Sequence, residues 1–319
     1  MFDIVMTLYN KEEFVGATVE AVLAQTYRDW RLLVVDDGST DRCAELVRGY
    51  DDPRITLIEQ ANQGVGPARN TGIGAGTAQW IAFLDGDDVW NGDHLAELDA
   101  LRRAFPEAVL VGCAFKRFSG SITPGQDSAG ASRRRLARYF AECASGRELF
   151  LTSSAAVPRA AMREVGDFKD LPGNEDVELW ARLALHGPVA VSSRQTVNYR
   201  VDTGGITEKG MGSRTPDAKP MRREELSSTI PTLDRALPTI ADPRLRDDII
   251  AYMDSRIGIR LVAAVMQGDI DYARQLRALY RGRPVGQARI AASVAALPRP
   301  LAKAALASRC KLKRMFARN

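Results

Sequence analysis

The sequence predicts an α/β protein, with a mostly parallel sheet flanked by helices and a C-terminal helical region after it. Three observations carry this expectation. Over the first 115 residues, short aliphatic runs alternate with segments whose apolar residues recur at helical spacing. Several of these runs stop abruptly on clusters of Asp, Gly and Asn, the composition of the carboxyl edge of a parallel sheet, where ligands bind. Beyond about residue 220 only helical periodicity remains.

Residues 3–8 open as a strand. Residues 12–24 place Phe14, Val15, Val19, Val22 and Leu23 on one helical face. Residues 31–36 form an apolar strand, and Ser39 or Thr40 is suited to cap a helix through Arg48. A strand at 54–59 precedes a helix with Pro67 in its first turn, reaching Gly74. A strand at 80–84 ends on Asp85; a helix at 93–105 and a strand at 109–115 follow. Residues 119–135 turn to Gly, Ser and Pro and then to three arginines, a loop composition. A strand at 152–157, a helix at 174–186 ended by Gly187-Pro188, and short strands at 189–191 and 196–201 come next. A Gly-rich stretch at 204–219 leads to helices near 221–236, 243–267, 270–280 and 285–297. Two domains are expected, 1–210 and 211–319, with no internal repeat.

Hydrophobic residues make up 45% of the chain, enough for a core of ordinary size. No apolar run reaches the roughly 20 residues that span a membrane. The start, Met1-Phe2-Asp3, lacks the basic segment of a secretory signal. Cys43, Cys113, Cys143 and Cys310 form no Cys-x-x-Cys pair, which argues against zinc and disulfide frameworks and for a cytoplasmic setting. Charge is uneven. Twelve of the 44 Lys and Arg lie within 272–319, where no acid occurs, while the rest carries 32 bases against 40 acids. A basic tail on an acidic body suggests an anionic surface as partner. Within 301–319, Lys303, Arg309, Lys311, Lys313, Arg314 and Arg318 interleave with leucines, Met315 and Phe316. That pattern fits a basic amphipathic helix on the inner face of a membrane, and equally a solvated tail. No nucleic-acid module accompanies it.

Four polar clusters follow the first four strands: Thr7-Leu8-Tyr9-Asn10, Asp36-Asp37-Gly38-Ser39-Thr40-Asp41, Gly64 to Asn70, and Asp85-Gly86-Asp87-Asp88. Strand ends of this kind line one crevice. Three carboxylates in four residues repel one another unless a cation neutralises them, and hard divalent ions take carboxylate oxygens while leaving positions for phosphate. A solvated acidic turn is the plainer reading. The flanking Ile81-Ala82-Phe83-Leu84 and Val89-Trp90 favour the ligand reading.

The ordered set of motifs resembles the family 2 glycosyltransferases of the GT-A, Rossmann-like fold. It comprises Thr7-Leu8-Tyr9-Asn10-Lys11, Gln25-Thr26-Tyr27-Arg28-Asp29-Trp30, Val34 to Asp41, Asn62-Gln63-Gly64 with Ala68-Arg69-Asn70, Asp85 to Asp88, Gly166-Asp167-Phe168, and Glu175 to Trp180. The likeness covers roughly residues 2–207. Each motif alone is weak; seven in order are specific. The resemblance implies that Thr7, Tyr9 and Asp37 contact the base of a nucleotide-sugar donor, UDP-sugars being favoured. It implies that Arg69 lies by the base or diphosphate, that Asp87 approaches the ribose, and that Asp85 supports the sugar or the metal shell. Asp88 then binds Mn2+ or Mg2+, and Asp176 is the general base of an inverting transfer to a glycan or lipid-linked acceptor. Glu175 and Trp180 fall on the acceptor side, although a helix-start charge and plain core remain open for them. Relatives often carry His shortly after the Tyr-Arg that matches Tyr199-Arg200; here Asp202 or Thr203 fills that region.

Rival classes fare worse. Strand one is not followed by the Gly-x-Gly-x-x-Gly of a dehydrogenase, and no Gly-x-x-x-x-Gly-Lys-Ser/Thr loop is present. A nucleotidyltransferase needs a basic Gly-rich N-terminal loop, which is missing. A non-catalytic nucleotide-sugar-binding relative is the remaining alternative, and the presence of both Asp88 and Asp176 argues against it.

Overall fold

The computed structural model describes residues 1–126, 128, 130–171, 173–201, 203, 229–282, 286–298 and 301–302. Asp202, the whole 204–219 stretch, the first part of the helix expected near 221–236 and the tail from 303 onward lie outside the described residues. The chain divides into two compact units. One comprises Met1–Tyr139 with Glu148–Ala218; the other comprises Phe140–Arg147 with Lys219–Asn319.

The first unit opens β1 (Phe2–Leu8), α1 (Val15–Leu23), β2 (Trp30–Asp36), α2 (Cys43–Arg48), β3 (Ile55–Glu59), α3 (Val65–Ala75) and β4 (Trp80–Asp85). These strands pair in parallel, with β1 between β2 and β4 and with β3 outside β2. Leu8 lies opposite Asp36, Thr7 opposite Asp85, and Asp36 opposite Glu59. The register therefore brings the polar ends of four strands to one edge, as the alternation of apolar runs and acidic clusters requires. The unit continues with β5 (Val89–Trp90), α4 (His94–Ala104), β6 (Leu110–Phe118) and β7 (Arg134–Ala137). α5 (Tyr139–Ala144) starts at the unit boundary, and β8 (Ala155–Pro158), α6 (Arg159–Val165), α7 (Glu175–His186) and β9 (Val189–Arg200) complete the element order. The nine-stranded sheet runs β3-β2-β1-β4-β8-β6-β9-β5, with β7 also on β9. β8 is antiparallel to both β4 and β6, while β6 and β9 are parallel.

Burial explains the order. Phe2, Ile4, Met6, Leu32, Val34 and Phe83 are fully buried, so the central strands carry apolar side chains on both faces. α3 lies close on β1 and β2 because Gly72 has no side chain: a Cβ there would sit 2.5 Å from a Val5 methyl and 3.1 Å from one of Val35. At the opposite strand ends, buried Asp3 accepts from Arg31 at 2.6 Å and from Arg159 at 2.8 Å.

Several elements depart from the sequence expectations. α2 starts at Cys43 with Arg42 at its N-cap, and neither Ser39 nor Thr40 caps it. Ser39 donates instead to Asp36, and the Thr40 amide donates to Asn10 Oδ1 at 2.8 Å. Residues 189–200 form one strand rather than two. The polar residues 192–195 between the two expected strands continue the strand through a register irregularity opposite Cys113 to Phe115. β7 begins at the end of the expected loop and runs past it, because an exposed edge strand need not be apolar. Thr152–Ser154 is a 3-10 turn, and the strand begins only at Ala155.

The second unit gathers α5 with α8 (Thr229–Ala236), α9 (Pro243–Gln267), α10 (Ile270–Ala278) and α11 (Gly286–Ala296). α9 buries Ile249, Tyr252, Met253, Ile257 and Leu261, and Phe140 of α5 meets Tyr252 edge-on at 5.4 Å. Asp242 and Asp269 cap α9 and α10 through backbone amides at 2.9 and 3.0 Å. Among the described residues, no helix is long and apolar enough to cross a membrane.

Candidate active site

The acidic cluster turns sharply off β4. The Gly86 amide donates to the Thr7 carbonyl at 3.1 Å, and the Asp88 amide returns to the Asp85 carbonyl at 3.1 Å. A Cβ on Gly86 would overlap the Leu8 side chain and lie 3.0 Å from the Thr7 carbonyl oxygen, so only glycine lets β1 and this turn approach. The three carboxylates then meet different fates. Asp85 receives Arg69 Nη2 at 2.8 Å and the Thr7 hydroxyl at 3.4 Å. Asp87 receives Lys11 Nζ at 2.5 Å. Asp88 is 1% exposed; its Oδ1 accepts the Arg200 amide at 3.0 Å, and its Oδ2 is buried with no hydrogen-bond partner. Burial pushes the Asp88 carboxyl well above the usual carboxylate range, reinforced by the charges of Asp87 and Asp85 and only partly offset by the nearby Ser153 hydroxyl and the Arg200 amide.

That orphaned oxygen is the test of whether a divalent cation suits the site. A buried polar atom without a partner costs free energy on the order of 1–3 kcal/mol, more when charged. Among the described residues, no three His, Cys, Asp or Glu side chains converge as a complete metal cage. A hard cation that takes one or two carboxylates and fills its remaining positions with phosphate oxygens and water needs no such cage. The residues fit such an ion at Asp88.

Arg69 and Glu175 form the second feature. Arg69, 3% exposed on α3, donates Nη1 to Glu175 Oε1 at 2.5 Å while Nη2 holds Asp85. Burial alone would lower the guanidinium, but Asp85, Glu175 and Asp176 outweigh it and raise it further. Burial also raises the Glu175 carboxyl, against the pull of Arg69. Glu175 is therefore the inner partner of a buried ion pair as well as a helix-start charge. Asn174, in the left-handed region at φ 58°, precedes α7 and sets where Glu175 and Asp176 leave the backbone. Asp176 is half-buried; its Oδ2 accepts the Thr152 hydroxyl at 2.8 Å and its Oδ1 accepts the Val177 amide at 2.7 Å.

The other expected residues divide. Thr7 is nearly buried beside Asp85, and Tyr9 stands 49% exposed beyond the end of β1. Asp37 is 4% exposed, and both its oxygens are engaged: Oδ1 accepts from Gln60 Nε2 and the Gln63 amide, Oδ2 from the Gly64 amide. It thus organises the loop leading into α3. Trp180 is 3% exposed, in a cluster with Phe83, Phe150 and Phe168 at 5.8–6.2 Å, so its side chain is core and not an acceptor wall. Four residues given no role from sequence contact the site: Lys11 on Asp87, Arg200 on the Asp87 carbonyl through its side chain and on the Asp88 carboxylate through its amide, Thr152 on Asp176, and Ser153, whose hydroxyl accepts the Asp85 amide at 3.0 Å. The only signal for the last two was a run of hydroxyl residues between Leu151 and Ala155.

Parts of the chain are similar to known proteins. A stretch of 96 residues is 40% identical to the Escherichia coli UDP-Glc:alpha-D-GlcNAc-diphosphoundecaprenol beta-1,3-glucosyltransferase WfgD, covering 30% of this chain and 38% of that protein. A stretch of 95 residues is 41% identical to the Rhizobium meliloti succinoglycan biosynthesis protein ExoO, covering 30% and 27%. The matched stretches thus span well under half the length of these relatives. Among solved structures, S. aureus TarS 1-349 in complex with UDP-GlcNAc aligns at a TM-score of 0.69 and 15% identity, over 99% of this chain and 90% of that one. The mannosyltransferase PcManGT from Pyrobaculum calidifontis, in complex with GDP-Man and Mn2+, aligns at 0.58 and 17%, over 100% and 86%. At these identities the likeness shows the GT-A fold alone. The family model described as glycosyl transferase family 2 matches residues 3–164, half of the sequence, and the chain belongs to that family.

Proposed function

We propose that this chain is a metal-dependent, inverting glycosyltransferase. It moves a sugar from a nucleotide-diphosphate sugar, a UDP-sugar first, to a hydroxyl of a glycan or lipid-linked acceptor in surface-polysaccharide synthesis. The observation that carries the reading is the unpartnered, buried Asp88 Oδ2 beside two compensated carboxylates, at the carboxyl edge of the sheet. The names of WfgD, ExoO and TarS with its bound UDP-GlcNAc support the substrate class.

In this reading residues 1–210 are the catalytic domain, and 211–319 are a helical region with a basic tail. Asp88 would hold Mn2+ or Mg2+, which supplies charge neutralisation for a diphosphate leaving group. Thr7, Tyr9 and the loop organised by Asp37 receive the nucleoside, and Asp87 the ribose. Arg69 fixes Asp85 on the sugar side and Glu175 on the acceptor side. Asp176 takes the proton from the acceptor hydroxyl as its oxygen bonds to the anomeric carbon. The bond from that carbon to the diphosphate breaks on the opposite face, so the configuration inverts. The tail supports contact with an anionic membrane surface on the cytoplasmic side. Deleting 301–319 should abolish low-salt binding to vesicles of anionic lipid; undiminished binding rejects this part.

Turnover of a panel of UDP- and GDP-sugars, with and without Mn2+ or Mg2+, tests the reading. Asp176→Asn should lower the rate about 10²–10⁴-fold without weakening donor binding. A panel that binds but never turns over would point to a non-catalytic sugar-nucleotide binder. Turnover indifferent to both Asp176→Asn and Asp88→Ala would end the proposed mechanism.

A further inference from the structure

The base and the donor cluster lie on different elements, α7 and the turn after β4, and something must hold them in register. One short segment touches both. Thr152, 5% exposed, donates its hydroxyl to Asp176 Oδ2 at 2.8 Å. The next residue, Ser153, is 1% exposed; its hydroxyl accepts the Asp85 amide at 3.0 Å, and its carbonyl accepts Trp90 Nε1 at 2.6 Å. The turn is itself fixed: the Ser154 hydroxyl accepts the Leu151 amide at 2.8 Å and donates to the Leu151 carbonyl at 3.1 Å. Immediately beyond it β8 is pinned between β4 and β6. Resting on the reading that Asp176 is the general base, we propose that Thr152 is its positioning residue, and that the Thr152-Ser153 turn ties the base to the donor cluster.

The chemistry follows from the two oxygens. Asp176 Oδ1 is engaged by the Val177 amide and Oδ2 by Thr152, so the carboxylate plane is set from two sides. The hydroxyl is on a β-branched residue, whose χ1 is stiff. Without that donor the carboxylate can rotate about its own side chain, and productive alignment with an acceptor hydroxyl becomes a minority state. The groups around Asp176 do not replace it: Glu175 repels the carboxylate, and the cation nearby, Arg69, is committed to Glu175 and Asp85.

Four variants test the assignment with the nucleotide sugar that the donor panel turns over fastest: Thr152→Val, Thr152→Ser, Asp176→Asn and the Thr152→Val/Asp176→Asn double variant. Thr152→Val should lower kcat about tenfold with KM for the donor unchanged, and Thr152→Ser should return kcat to within about threefold of the wild type. In the Asp176→Asn background Thr152→Val should have no further effect, because a residue that acts through the base has nothing left to position. Two results overturn the proposal while leaving the base assignment intact: wild-type kcat in Thr152→Val beside an inactive Asp176→Asn, or an equal further loss in the double variant. Wild-type turnover in Asp176→Asn overturns the base assignment and this proposal with it.

Discussion

At Asp88 one carboxylate oxygen is bonded and the other is buried without a partner. With the carboxyl pushed up by burial, its ionised form destabilises the metal-free fold at neutral pH. Asp88→Asn should therefore raise the metal-free Tm by about 2–4 °C and abolish the Tm increase that Mn2+ gives the wild type. A persistent Mn2+ shift in the variant would remove Asp88 from the ion's ligands. His94 makes a different prediction. It is fully buried on Trp90, its Nδ1 bonded to Thr196 Oγ1 at 2.7 Å, its Nε2 unpartnered, and burial lowers it to about 3. The unfolded chain takes up a proton near pH 6.5 that the folded chain refuses until about 3. Stability is thus fully present above 6.5 and is lost as pH falls through that window. Between pH 7.5 and 5.5 the wild type should lose about 1.4 kcal/mol more than His94→Gln in urea unfolding. Parallel losses in the two proteins would contradict the assignment. Nothing in the local sequence marks His94 as buried, because its partner Thr196 lies 102 positions away.

α3 shows how an element serves a site it barely enters. Gly72 brings the helix down on Val5 and Val35, and Arg69, one turn earlier, is thereby placed between Asp85 and Glu175. Gly72→Val should push the helix off the sheet. Overpacking of this kind costs about 1–3 kcal/mol, read as a lower urea midpoint, and it should carry donor binding down with it because Arg69 moves. Intact donor affinity alongside the lost stability would show that Arg69 does not depend on this contact. The helix itself was legible from Pro67 and the small residues after it, as β1, β2 and β4 were from their apolar runs. β5, β7 and α5 were not: each is short, and each is held by a distant partner strand or helix rather than by its own pattern.

For the whole molecule, the unit division has a practical consequence. Residues 140–147 belong with the C-terminal helices, so the chain passes between the units more than once. A truncation to residues 1–210 would leave Phe140, 2% exposed in the full chain, without Tyr252. We expect that fragment to aggregate on size-exclusion chromatography, and Phe140→Ser to recover part of the monomer. A monodisperse wild-type fragment would show that α5 is stable without the helices it meets.

The sequence by itself determined the α/β class, the four polar strand ends and the family, because apolar periodicity and local turn chemistry are short-range properties that a linear pattern records. It also brought Asp85, Asp87, Asp88, Arg69, Glu175 and Asp176 into view as types of residue at strand and helix ends. Only the tertiary structure decided which charge meets which. Lys11 compensates Asp87, Arg69 is shared by Asp85 and Glu175, Trp180 turns into the core, Thr152 reaches Asp176, and of the three carboxylates in the turn after β4 it is Asp88 that keeps a buried oxygen without a hydrogen-bond partner. Pairings at the site join residues up to 113 positions apart, and sheet register, not sequence neighbourhood, sets their distances.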